Sequence, residues 1–110
     1  MKNHPRRARS QWREAAPDYF LDCFDHPKRN DRYTILFGGE LRGRNDNGAT
    51  WINYLACSAN PTSPVGFSQW GEFTDSDARN YRYASSRQRI RWLDLPEHVR
   101  AHIVARATSE

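Results

Sequence analysis

Residues 87–107 read "RQRIRWLDLPEHVRAHIVARA", and the change of period inside this stretch decides the fold class. Up to Leu93 polar and apolar side chains alternate, with Arg87, Arg89 and Arg91 on one side and Ile90 and Trp92 on the other. A period of two marks a strand with one buried face. After "DLPE" the period changes. Leu95, Val99, Ile103 and Ala107 recur every fourth residue, the stripe of a helix that packs on a sheet. Asp94 and Glu97 have capping-box spacing, and Pro96 falls in the first turn, where its missing N–H costs nothing. The stretch predicts a strand over 87–93 and a helix over 94–107.

Upstream, "RYTILFGG" (32–39) and "TWINYLACS" (50–58) are rich in β-branched and aromatic residues and read as strands. The polar segment between them carries the turn signal Asn47-Gly48, so they form a long-looped antiparallel hairpin. "ANPTSPVG" (59–66) is a loop, and "FSQWGEF" (67–73) is a short third strand broken by Gly71. "TDSDARNYRYASS" (74–86) shows no period and reads as an exposed loop. Nearer the N-terminus, "PDYFLDCFDHP" (17–27) places Phe20 and Phe24 four apart beside Leu21, with Asp18 in the first turn. That spacing predicts a short helix ended by Pro27. A further helical piece over Trp12–Ala16 takes Ser10 as its cap. Residues 1–13 hold five basic side chains and no acid, the pattern of a flexible arm, and 14–110 form a single domain. The expectation is an α+β fold: a small antiparallel sheet of three to four strands, with an N-terminal short helix and a C-terminal helix packed on it.

At 110 residues the chain supports one core. That core must be aromatic, since 14 Phe, Tyr and Trp outnumber the 13 Leu, Ile and Val. The net charge of +4 comes from 15 Arg against 2 Lys, and the guanidinium fork suits phosphates, carboxylates and aromatic faces. Two cysteines, Cys23 and Cys57, make no disulfide framework. No apolar run reaches the length of a membrane span, and the basic N-terminus lacks the apolar stretch of a signal peptide. The expected setting is cytoplasmic, with free thiols.

The segments "NPTSPVGFSQWGE" (60–72) and "RIRWLDLPEHVR" (89–100) resemble small uncharacterised proteins of phages, prophages and other mobile elements. The likeness spans residues 33–105. It implies a compact α+β shape in which a strand pair leads through a Pro/Gly loop to a basic strand, "DLP" and a helix. No active site comes with it. Histidine often stands where this chain has Ser63 and Trp70, a departure that argues against a metal or catalytic role for that loop here.

Several constellations are candidates for chemistry. "CFDHPKR" (23–29) has the Cys-x5-Arg spacing of a phosphatase loop. It has no glycine, however, while Asp25 repels phosphate and Pro27 lacks a donor. His98 and His102 share a helix face, and Cys23 and His26 could complete a zinc site, yet no Cys-x2-Cys pair anchors one. "GGELRGRNDNG" (38–48) lacks the layout of a phosphate-binding P-loop. The carboxylates are scattered through loops and show no acid–base pair. The expectation is therefore no catalytic residue, no metal and no cofactor.

"RNYRYASSRQRIRW" (79–92) contains no acid and interleaves arginine with aromatics. Arg79, Tyr81, Arg82, Tyr83, Arg87, Arg89 and Arg91 are the candidate partner-binding residues. Charge plus stacking serves single-stranded nucleic acid and protein hot spots alike, whereas a charged edge strand also keeps a sheet soluble. The expected function is a non-enzymatic protein of phage or mobile-element type. It would bind a host protein or nucleoprotein complex and inhibit or redirect it, as anti-CRISPR counter-defence proteins do. The alternatives are a DNA- or RNA-binding protein using the same face, and a small enzyme built on Cys23 or a histidine metal site.

Overall fold

The computed structural model describes residues 11–109. Six strands form one antiparallel sheet: β1 (Phe20–Asp25), β2 (Tyr33–Phe37), β3 (Gly43–Arg44), β4 (Thr50–Cys57), β5 (Ser68–Thr74) and β6 (Arg89–Ile90). Two helices accompany it, α1 (Asp75–Ala84) and α2 (Glu97–Ala107). The class is the expected α+β, with more strands than the three to four anticipated. Strand β1 pairs with β2 and β6, and β2 pairs with β4. Trp51 pairs with Gly43 on one side and Thr74 on the other. Leu55 likewise lies between Ile35 and Trp70. Strand β5 therefore flanks one side of β4, while β2 and the short β3 share the other.

Each face of the sheet carries one helix. On one face Phe20, Cys23, Ile35, Phe37, Leu55 and Cys57 pack against Trp92, Leu95, Val99, Ile103 and Ala107. Val99, Ile103 and Ala107 of α2, with Leu95 just before it, are thus buried as their period predicts. On the other face Phe24, Leu36 and Ile52 pack against Ala78 and Tyr81 of α1. Adjacent residues such as Cys23 and Phe24, or Ile35 and Leu36, belong to opposite layers, as strand alternation requires.

Four sequence expectations are corrected. Residues 20–25 are a strand rather than a helix. Because β1 is covered on both faces it reads as a near-continuous apolar run, which the Phe20–Phe24 spacing imitates. Residues 75–84 are a helix rather than a loop. Thr74 caps it by accepting from the Asp77 N–H at 3.0 Å, and Asp75 and Asp77 oppose the dipole in the first turn. The strand expected over 87–93 shrinks to Arg89–Ile90, with 3₁₀ turns at Ser86–Gln88 and Trp92–Asp94 on either side. Finally, Asp94 does not cap α2. It accepts from the Arg91 N–H at 2.9 Å and closes the Trp92–Asp94 turn, and α2 starts after Pro96 with no side-chain cap. Residues 1–10 of the basic segment, with the Ser10 cap expected for the Trp12–Ala16 helix, lie outside the described residues; of that helix only Trp12, with Gln11 before it, is helical, and residues 13–15 form a turn.

An irregularity in β1 positions the site. Phe20 pairs with Phe37 but Asp22 pairs with Leu36, so β1 holds one extra residue. Such a bulge shifts the alternation by one. Leu21 packs with the α1 layer, and Asp22, adjacent to Cys23 of the α2 layer, faces the α1 side as well. Without the bulge, Asp22 would share the face of Phe20 and enter the aromatic core.

Candidate functional site

Asp22 is a carboxylate 2% exposed in a central strand, and a charge so placed requires partners. Two arginines supply them. Arg89 Nε donates to Asp22 Oδ1 at 2.8 Å, and Arg82 Nε donates to Asp22 Oδ2 at 3.1 Å. Arg89 comes from β6, next to β1, and Arg82 from the last turn of α1. Each arginine uses its Nε, and among the described residues the terminal guanidinium nitrogens of both have no hydrogen-bond partner. Arg89 is further fixed from above, its Cζ lying 4.7 Å from the Trp12 ring centroid.

These residues line a cleft. Arg79, Arg82 and Tyr83 of α1, Ser86 of the following turn, Arg89 and Asp22 enclose about 340 Å³, within the size range of small-ligand sites, roughly 300–1,000 Å³. Positions 79, 82 and 83 share one face of α1 by their spacing, Ser86 follows in the next turn, and the helix turns Tyr81 inward. Three guanidiniums against one carboxylate leave two positive charges in excess. Tyr83 at the rim is 84% exposed. Arg79 and Arg87 form no ion pair among the described residues.

The seven candidates named from sequence therefore separate. Arg79, Arg82, Tyr83 and Arg89 come together at the cleft, and Arg87 lies in the adjoining 3₁₀ turn. Tyr81 packs edge-on against Phe24 at 5.2 Å between centroids, and its hydroxyl lies 2.9 Å from His26 Nε2. Arg91 pairs with Asp94 at 2.7 Å, and that contact holds the Asp94 carboxyl below its ordinary range. The single row of Arg87, Arg89 and Arg91 does not exist, because only Arg89 of the three lies in a strand.

The other chemical candidates are dispersed. Cys23 donates to the Ile90 carbonyl at 3.3 Å inside the core. Burial, reinforced by the neighbouring Asp22 charge, pushes its thiol far up. Cys57 is buried too, and burial raises it to about 11. Both thiols are unpaired. His98 Nε2 meets the Ala59 carbonyl at 2.7 Å, and His26 is committed to Tyr81. Among the described residues no three His, Cys, Asp or Glu side chains converge as a metal site, and no helix is long and apolar enough to cross a membrane.

Sequence reasoning missed one polar cluster. Ser68 Oγ lies 2.8 Å from His102 Nε2 and accepts from Arg106 at 3.0 Å. Desolvation and the Arg106 charge lower the His102 pKa, which favours the neutral imidazole beside the serine hydroxyl. The pair has the spacing of a nucleophile and base, but among the described residues nothing orients the other ring nitrogen. The contacts tie β5 to α2. His102 and Arg106 stand four apart on the helix, the one signal of this cluster in the sequence. Asp22 was missed as well, because its partners lie 60 and 67 residues away.

Comparison with protein-family models, with curated proteins and with solved structures finds no match.

Proposed function

We propose that this chain is a non-enzymatic binding protein that docks an acidic partner on the arginine face formed by α1 and residues 86–89. The observation that carries this reading is the buried Asp22, which fixes two guanidiniums of a cleft that keeps excess positive charge. A merely solvated surface needs no internal carboxylate to hold its arginines in place. Preorganised guanidiniums lose less rotamer freedom on binding. Tyr83 adds a rigid aromatic contact beside them. The resemblance to mobile-element proteins favours a host protein or nucleoprotein complex as the partner, inhibited or redirected as in counter-defence.

Affinity capture from the native host, read by mass spectrometry, tests the proposal. Arg79→Glu combined with Arg87→Glu should remove the partner that the wild-type protein captures, since like charge at an acidic interface costs several-fold to many-fold in affinity. Both side chains are exposed and without ion pairs among the described residues, so the variant should stay folded. Undiminished capture by the folded variant would overturn the reading.

A further inference from the structure

We propose that the arginine cleft and a second basic cleft beside it bind single-stranded nucleic acid, with phosphates among the arginines and a base against Tyr83. This rests on the reading of the arginine face as the binding surface and names its ligand.

The second cleft, about 380 Å³, is lined by His26, Pro27, Lys28, Arg29 and Gln88. Ser86 and Arg89 wall the first cleft and Gln88 the second, so residues 86–89 divide two adjoining basic depressions. The His26–Tyr81 hydrogen bond ties the second cleft to α1, the helix that lines the first. Lys28 and Arg29 form no ion pair among the described residues, and the Asp25 charge beside them is taken up by Arg32 at 2.8 Å. Asp31 is the remaining acid of this turn. The surface therefore presents two positive stations in succession, with an exposed ring at the rim of the first.

That sequence of parts matches a single strand. Phosphates recur along it, and its bases are free to stack on aromatic side chains. In a duplex the base faces are already stacked, and Tyr83 would have nothing to cover. The carboxylate of an acidic protein side chain needs neither two clefts of this size nor an aromatic platform. The free terminal nitrogens of Arg82 and Arg89, held side by side by Asp22, suit the oxygens of one phosphate.

Fluorescence anisotropy tests this with a labelled single strand of about twelve nucleotides, a length within known single-strand site sizes. DNA and RNA forms and the matching duplexes are compared over a range of salt. The single strand should bind more tightly than the duplex. Its log K should fall with log salt at a slope of about −2 to −3, the value for three or four neutralised phosphates. Tyr83→Ala should weaken binding roughly tenfold by removing a stacked base. Arg79→Ala and Arg29→Ala should each lower the slope by about 0.7. Circular dichroism verifies that these exposed variants are folded. Tightest binding by the RNA or the DNA arm identifies the natural strand. Duplex binding as tight as single-strand binding, or insensitivity to both Tyr83→Ala and Arg29→Ala, would overturn the proposal. Absence of binding by folded wild-type protein at low salt would do so too. If binding is absent while Arg79→Glu with Arg87→Glu still abolishes capture of a protein, the arginine face stands as a docking surface and only the nucleic-acid assignment fails.

Discussion

Asp22 and Arg89 meet across adjacent strands, Oδ1 to Nε at 2.8 Å, with the carboxylate side chain 3% exposed and the guanidinium side chain 27% exposed. The asymmetry of exposure makes the two halves of this bond unequal. Asp22→Ala releases two arginines that can turn into water, so the loss is that of charge-assisted hydrogen bonds, about 1–3 kcal/mol. Removing Arg82 and Arg89 together leaves a buried carboxylate uncompensated, at about 3–5 kcal/mol. Urea unfolding should therefore rank the double arginine variant below Asp22→Ala. The deficit of the double variant should shrink at acid pH. The burial penalty of an unpaired carboxylate acts on its charged form, and protonation removes it. Equal losses, or a pH-independent deficit, would contradict the burial asymmetry.

Arg87, Arg89 and Arg91 look equivalent in sequence but have different roles in the fold. Arg87→Glu should be nearly neutral, within about 0.5 kcal/mol, because the side chain is exposed and unpaired among the described residues. Arg89→Glu places a second carboxylate against Asp22 and should destabilise strongly or prevent folding, since like charges in a buried setting cannot both ionise freely. Arg91→Glu sets two acids against each other in the turn that leads into α2, at an exposed site where the cost is modest. Thermal melts of the three single variants separate these outcomes. Reversing all three together should therefore cost the fold as much as Arg89→Glu does, because Arg89 alone of the three pairs with the buried Asp22.

How much was legible follows from where the information lies. The stripe Leu95, Val99, Ile103 and Ala107 was readable because one period runs through a whole element, and all four residues are buried. The β2–β4 hairpin was readable from composition. Helix α1 was not, because its inward face is only Ala78 and the half-buried Tyr81, and polar residues occupy most of the rest. Its start was nonetheless encoded in Thr74 and the acids that follow. Strand β1 was misread because Phe20, Leu21 and Phe24 fit a helical face, while the bulge that separates Phe20 from Asp22 leaves no mark in composition. The candidate site was half legible. Arg79, Arg82, Tyr83 and Arg89 were named from their residue types, but the carboxylate that gathers them is a tertiary partner.

Two histidines make stability depend on pH in one direction. Desolvation, then the Arg29 charge, lowers the His26 pKa, with Asp31 and Asp25 opposing; desolvation and Arg106 lower that of His102. Both folded values lie below the unfolded value near 6.5. As pH falls through about 6.5 the unfolded chain takes up protons that the folded chain refuses, so stability is full above that pH and declines below it. The urea midpoint should drop between about pH 7.5 and 5.5. His102→Gln, which retains a hydrogen-bonding group for Ser68, should flatten the slope, and His26→Gln should do so independently. A midpoint constant over that window would show that neither imidazole is held neutral by the fold.

The thiols report opening of the core. Cys23 lies mid-strand in β1, paired on both sides by Ile35 and Ile90, and Cys57 ends β4 between Tyr33 and Ser68. Both are 0% exposed. With Cys57 raised to about 11, fewer than about one thiol in a thousand is thiolate at pH 7.5, and the thiolate is the reactive species. Native protein should react slowly with an aromatic disulfide reagent, and both thiols should titrate at once in denaturant. Cys57 should react first, since a strand end opens by local fraying whereas a central strand opens only with the whole sheet. Mass mapping of the partially modified protein checks the order. Faster modification of Cys23 would mean that the short β6 and the Asp22–Arg89 bond beside it open before the end of β4 does.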